Sequence, residues 1–205
     1  MAEQWKRIEH PESVPVHLEV EDECYFAREY VSRGGFQAGT GNNLIANFKK
    51  TPERRGKPEW RWKVNAVQQF ARELNELITT GTIAAIPTSK RRDDPLYDSR
   101  FDETLAALKR LNPAITLEAP FEVHTSHQSA HMGGERGVDA FYDTLRWTGF
   151  SKPPDDIILL DDVVTTGAHF KACQRLIWEH HPGLKVYGVF WAKVTWPSVD
   201  EIAPI

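Results

Sequence analysis

Ile157-Ile158-Leu159-Leu160-Asp161-Asp162-Val163-Val164-Thr165-Thr166-Gly167-Ala168-His169-Phe170 is the stretch that decides the fold. Its unbroken apolar start predicts a strand over Asp156–Leu160 covered on both faces, because a half-solvated strand would alternate. Two acids follow that strand. Thr-Thr-Gly turns the chain, and Ala168–His180 then reads as a helix with Phe170, Cys173, Leu176 and Ile177 inward. A buried strand feeding a helix through a short turn is the unit of a parallel α/β sheet.

Working outward, Leu184–Val194 is the next strong strand. Upstream, Trp62–Thr79 is an amphipathic helix, with Ala66, Val67, Phe70, Ala71, Leu74, Leu77 and Ile78 on one face. Thr82–Pro87 is a short apolar strand. Phe101–Leu111 is a helix with Phe101, Leu105, Leu108 and Leu111 inward, ended by Pro113. A strand is expected near Phe121–His124, a polar loop over Thr125–Gly134 and a helix over Glu135–Trp147. Near the start, Val16–Val31 reads as short strands, Ser32–Asn43 as a glycine-rich loop and Asn43–Lys49 as a short helix. The fold class expected is α/β, a mainly parallel central sheet flanked by helices with a small N-terminal hood or strand region. The division expected is residues 1–45 as arm and hood, and 46–205 as the core domain.

The turn after the two acids has a chemistry of its own. A helix start presents unpaired N–H groups and the positive end of a dipole. Thr165 and Thr166 add hydroxyl donors, and Gly167 permits close approach of an anion to the backbone. A dianionic phosphate suits such a turn. Asp161 and Asp162 would lie about one sugar-length away, where carboxylates accept hydrogen bonds from vicinal ribose hydroxyls and hold Mg2+ through water. The plain alternative is a helix N-cap after a buried strand.

The segment resembles the signature of the type I phosphoribosyltransferases: four apolar residues, two acids, two apolar residues, Thr-Thr-Gly. The resemblance implies a phosphoribosyltransferase fold and binding of 5-phosphoribosyl-1-diphosphate (PRPP) with Mg2+. It places Asp161 and Asp162 on the ribose hydroxyls and makes Val164, Thr165, Thr166, Gly167, Ala168 and His169 the 5-phosphate loop. His169 stands where the family usually has Thr or Ser. No acid stands at Thr165, where purine-salvage members carry Asp, so the acceptor is left open.

A wider likeness covers roughly Asn43–Val194 and is to the ComF-type branch. It rests on Asn43–Lys50, on Ile86-Pro87-Thr88-Ser89-Lys90 in the place of the diphosphate-binding loop, and on His127-Gln128-Ser129 followed by Glu135-Arg136. The branch's Arg-Gly-Phe-Asn-Gln motif is at best a remnant in Asp98–Glu103, and its zinc cysteines are absent. On this reading Ser89 and Lys90 bind the diphosphate, with Arg91 and Arg92 as lesser candidates, and Arg136 reaches it from a flap. Asp161, Asp162, Lys90 and Arg136 are the catalytic candidates, and Asp161 and Asp162 the Mg2+ candidates. The activity implied is transfer of the phosphoribosyl group to a nitrogen acceptor with release of diphosphate. The alternative is a non-catalytic sensor or partner protein that binds PRPP or a nucleotide. Implied partners are PRPP or a nucleoside monophosphate, an unidentified small-molecule acceptor and, in assembly, a homodimer.

Composition narrows the classes. The chain has 205 residues, a net charge of −4, 40% hydrophobic and 26% charged residues, a globular mix with no global pull on nucleic acid. Two distant cysteines, Cys24 and Cys173, offer neither a metal spacing nor a disulfide framework, which suits a cytoplasmic setting. The first ten residues lack the apolar core of a signal peptide, and no apolar run approaches the roughly 20 residues of a membrane span. His124, His127 and His131 read either as zinc ligands, as part of a mobile flap or as an ordinary polar loop. Lys49–Arg61 reads as a solvated basic loop rather than a nucleic-acid contact. Trp62, Trp147, Trp178 and Trp191 are assigned to the core.

Overall fold

The computed structural model describes residues 5–9, 16–125 and 137–196. Among these described residues, eight strands and five α-helices follow in the order β1 (Lys6–Arg7), β2 (Glu23–Val31), α1 (Thr40–Phe48), α2 (Trp60–Leu77), β3 (Gly81–Ala85), α3 (Arg100–Leu111), β4 (Ile115–Glu118), β5 (Phe121–Val123), α4 (Val138–Tyr142), β6 (Leu145–Trp147), β7 (Asp156–Val164), α5 (Ala168–His180) and β8 (Lys185–Thr195). The main sheet has the order β1-β2-β8-β7-β3-β4, parallel throughout except for β1, which runs antiparallel to β2. This is the expected mixed α/β architecture with a mainly parallel central sheet.

The two sheet faces carry separate cores. One packs Ile157 and Leu159 against Phe170, Cys173 and Ile177 of α5, with Phe121, Phe141 and Leu145 closing its edge. The other packs Leu160 against Phe48, Phe70, Leu74, Phe101 and Leu108 of α1, α2 and α3. Trp191 stacks on Phe70 at 4.5 Å between ring centres at the middle of that second core. Cover on both faces is why β7 could be an uninterrupted apolar run.

Connections set the place of any ligand. From β3 the chain passes through α3 to β4 on one side, whereas β7, on the other side of β3, leads through α5 to β8. The chain therefore diverges at the carboxyl ends of β3 and β7. Ligands of open α/β sheets bind at such a switch point.

Several expectations needed correction. β2 is a full strand paired in parallel with β8 from Glu23↔Tyr187 to Val31↔Thr195, so residues 23–31 of the expected hood are built into the main sheet. Residues 16–22 are not strand. Of the helix expected over Glu135–Trp147, the described residues from Gly137 onward form helix over Val138–Tyr142; Leu145–Trp147 is a strand antiparallel to β5, because the chain turns at Asp143-Thr144 instead of completing a second helical turn. Ser32–Asn43 contains a 3-10 turn and the first residues of α1. β4 was missed, its four residues too short for a period to register. Trp191 is buried, but Trp62 and Trp178 are 46% and 42% exposed, not core.

Among the described residues no helix is long and apolar enough to cross a membrane. Both cysteine thiols are free and buried, and burial pushes both upward in pKa, leaving them protonated and unreactive.

Candidate active site at the β7–α5 turn

β7 runs past both acids to Val164, further than the apolar run alone indicates. Side-chain alternation slips inside it: Leu160 and Val163 pack on the α1–α3 face, and Leu159 and Val164 on the α5 face. At the slip the Asp162 N–H leaves the β8 pairing and donates instead to Asp161 Oδ1 at 2.7 Å. The two carboxylates consequently meet different surroundings.

Asp162 is 3% exposed and already neutralised. Arg100, the first residue of α3, donates to its Oδ2 from Nε at 3.0 Å and from Nη2 at 2.8 Å. Lys49, just past α1, lies 2.9 Å from its Oδ1. Burial alone would raise this carboxyl; the Lys49 and Arg100 charges overcome that effect and hold it below the usual range, at about 2. The network extends outward. Arg100 Nη1 donates to Asp98 at 2.9 Å, and the buried ammonium of Lys63 donates to Asp98 and to the carbonyls of Phe48 and Lys50 at the end of α1. These cations tie α1, α2 and α3 to the end of β7.

Asp161 has no such partner: among the described residues no cation forms an ion pair with it. Burial, and next the negative charge of Asp162, push it up to about 7. One oxygen accepts the Asp162 amide, and the other remains for a ligand donor.

Beyond the acids, Gly167 takes the left-handed conformation (φ 79°, ψ 0°) as N-cap of α5. The N–H groups of Thr165, Thr166 and Gly167 meet no acceptor among the described residues. Thr166 Oγ1 makes a long contact, 3.4 Å, with the amide of Ala168. Val164 and Ala168 are buried, so backbone is what they offer the turn. His169 stacks on Phe141 of α4, centroids 3.9 Å apart, so its ring is part of a packed pair.

The space beside Gly167 is also filled by protein. A Cβ there would meet Leu18 at 2.8 Å, and the His17 N–H donates to the Thr166 carbonyl at 2.9 Å. Residues 16–22 form a strap across this turn. Lys171 of α5 clamps it through Glu19 at 2.8 Å and Asp22 at 3.0 Å, and Gln174 donates to Asp22. Gly167 thus accommodates Leu18 on its Cβ side, where the sequence suggested a phosphate.

At the neighbouring strand end, the Ile86 N–H donates to the Leu160 carbonyl at 2.8 Å, so the segment Pro87–Lys90 leaves the sheet directly beside the acids. Thr88 Oγ1 is buried there without a hydrogen-bond partner among the described residues. Ser89 is half-buried, and Lys90 is 35% exposed with its ammonium 3.9 Å from Asp94. Arg91 and Arg92 are committed elsewhere: Arg91 to Asp93 and the His124 carbonyl, Arg92 to Asp102. Arg136, His127, Gln128, Ser129, His131 and Glu135 lie outside the described residues. His124 bonds the Asp143 carbonyl and Thr125, which ties β5 to the turn before β6.

Sequence reasoning missed Arg100, Lys49, Lys63 and Asp98 as one cluster. The sequence places Arg100 and Asp98 in a motif remnant, and Lys49 both in the Asn43–Lys50 segment and at the start of a basic loop, with nothing to join them. The available signal was Lys63, a charge on the inward side of an amphipathic helix.

No protein-family model matches the chain, and no curated protein matches it. Solved structures with some likeness include the Helicobacter pylori xanthine-guanine-hypoxanthine phosphoribosyltransferase, at 8% identity and a TM-score of 0.35 over 67% of this chain and 88% of that one. A Staphylococcus aureus hypoxanthine phosphoribosyltransferase in its orthorhombic form has 12% identity and a TM-score of 0.31 over 64% and 74% of the two chains. Its tetragonal form has 13% identity and a TM-score of 0.31 over 68% and 67%. At these values the likeness carries no weight for activity.

Proposed function

We propose that this chain is a Mg2+-dependent phosphoribosyltransferase of the type I fold, which binds PRPP at the β7–α5 turn and transfers its phosphoribosyl group to a nitrogen acceptor. The observation that carries the reading is the pairing, at one strand end, of a carboxyl group with no ion-pair partner among the described residues, Asp161, with the open amides of Thr165–Gly167. A sugar hydroxyl and a 5-phosphate are the matching ligand groups.

In this reading the turn amides hold the 5-phosphate and Asp161 accepts from the ribose hydroxyls. Thr88, Ser89 and Lys90, at the end of β3, face the diphosphate. The bond between C1 and the diphosphate oxygen breaks, its electron pair leaving with the diphosphate. The acceptor's nitrogen lone pair then forms the bond to C1, and the acceptor nitrogen loses its proton to solvent. Lys90 neutralises charge developing on the leaving group. Magnesium would sit with Asp161 through water, since both Asp162 oxygens are engaged by Arg100 and Lys49. It would supply charge neutralisation to the diphosphate. Asp162 becomes a positioning residue that fixes α1 and α3 at the end of β7. Incubation with PRPP, Mg2+ and a panel of bases and amines should release diphosphate with one acceptor. Release with none of them, despite binding, would remove the transferase reading.

A second reading, a non-catalytic protein that binds PRPP or a nucleotide, draws support from Leu18. The strap lies on Gly167, and a chain whose turn serves only binding would tolerate it. Tight PRPP binding with no turnover would favour that reading.

A further inference from the structure

The strap over residues 16–22 is rigid by its own contacts. The Glu19 N–H donates to Asp22 Oδ2 at 2.8 Å, and the Asp22 N–H donates back to the Glu19 carbonyl at 3.0 Å. This closed turn is fastened to α5. The Lys171 ammonium lies 2.8 Å from Glu19 and 3.0 Å from Asp22, the Asp22 and Lys171 side chains being 2% and 15% exposed, and Gln174 donates to Asp22 at 2.9 Å. Gly167, Lys171 and Gln174 stand four and three residues apart, so they form one stripe along the helix. The strap follows that stripe from Leu18 to Asp22, and Asp22 passes directly into β2, which the main sheet holds beside β8. A segment that opens readily is held by few buried contacts; this one has a buried ion pair and a paired strand at its end.

At its other end the strap touches the backbone of the turn. The His17 N–H donates to the Thr166 carbonyl at 2.9 Å. In a trans peptide the carbonyl and the following N–H point in opposite directions. Fixing the Thr166 carbonyl toward the strap therefore turns the Gly167 N–H away from it. Accepting a hydrogen bond also polarises the peptide, which strengthens its N–H as a donor. Glycine takes φ of either sign at little cost, so the Thr166–Gly167 peptide has no strong preference of its own between two orientations. Leu18, packed on the Cβ side of Gly167, and the His17 N–H select the one with Gly167 at φ 79°.

We propose that the strap is the positioning element of the phosphate turn: His17, through its backbone N–H, and Leu18 hold the Thr166–Gly167 peptide with its N–H toward an incoming phosphate, and Asp22 and Lys171 hold the strap in place. Strap and phosphate then meet the turn from opposite sides and support one another. The inference rests on the phosphoribosyl reading for the site it serves.

His17→Pro removes that donor without altering the turn itself, and His17→Ala restores the N–H without the imidazole. Calorimetry on the full chain reads affinity for two probes, inorganic phosphate alone and PRPP with Mg2+. Backbone-amide NMR reads the Thr165–Gly167 protons, and melting temperatures confirm that each variant folds. Both probes should bind the parent and shift the Gly167 amide. His17→Pro should weaken each by about tenfold, one hydrogen bond's worth, with a smaller Gly167 shift, and His17→Ala should recover the parent's affinity. Should His17→Pro not fold, Asp22→Asn combined with Lys171→Met unfastens the strap without leaving a buried charge, and the same weakening is expected. Unchanged affinity in a folded strap variant overturns the inference and leaves the phosphoribosyl reading intact; tighter binding does the same, since the strap would then be an obstruction. PRPP bound no more tightly than inorganic phosphate, with the strap dependence present, removes the phosphoribosyl reading and leaves the inference standing. Binding of neither probe overturns both.

Discussion

Arg100 grips Asp162 with two donors on one carboxylate oxygen, Nε at 3.0 Å and Nη2 at 2.8 Å, and both side chains are largely shut away from water. Through this contact Asp162 ties the start of α3 to the end of β7. Removing one partner of a buried pair leaves a charge in a poor solvent, which costs far more than the pair contributes.

Arg100→Met should therefore destabilise the protein by about 3 kcal/mol, with Lys49 retaining part of the compensation. Urea denaturation measures it. The double variant with Asp162→Asn should recover much of the loss, because no unpaired carboxylate remains. A single variant within about 0.5 kcal/mol of the parent would show that Lys49 alone satisfies Asp162.

The pH dependence of stability should carry the mark of Asp161. Its folded pKa is raised, to about 7, above an unfolded value of about 4, so between those values the folded state binds the extra proton. The associated stabilisation is fully present below pH about 4 and is lost as pH rises through 7. Asp162, lowered to about 2, behaves oppositely, losing its contribution only as pH falls through that value, outside the range of interest. Urea midpoints at pH 5 and pH 8 should show Asp161→Asn gaining on the parent at the higher pH. Parallel shifts at both pH values would contradict the assignment.

Gly167→Ala should destabilise by about 1–3 kcal/mol, since φ of 79° is strained for alanine and its methyl would sit 2.8 Å from Leu18. Leu18→Ala should relieve the contact but not the backbone strain, so the two substitutions should be non-additive. A thermal or urea cycle over the four proteins gives the coupling; strict additivity would mean that the strap does not rest on Gly167 in solution.

The sequence made the sheet legible where residues buried on both faces left long signatures. β7, α2, α5 and β8 each carry enough apolar residues for the period to be unmistakable. It misled where tertiary contacts overrode local pattern. Val138–Trp147 has helical spacing, yet the chain turns back at Asp143-Thr144 because Leu145–Trp147 pairs with β5. The same holds for the site. Asp161, the threonines and Gly167 announce themselves by adjacency in the chain. The cations around Asp162 come from α1, α2 and α3, separated from it by 62 residues or more, and no local pattern brings them together. The strap on Gly167 likewise joins residues about 150 positions apart, as Lys171 and Glu19 show.

Calorimetric titration of PRPP with Mg2+ into the parent protein and into Asp161→Asn puts the central claim to its most direct test. The parent should bind, and the variant should bind about tenfold or more weakly, because charge-assisted contacts to the sugar are lost. No binding by the parent, or equal affinity in the two proteins, would contradict the assignment of the β7–α5 turn to a sugar phosphate.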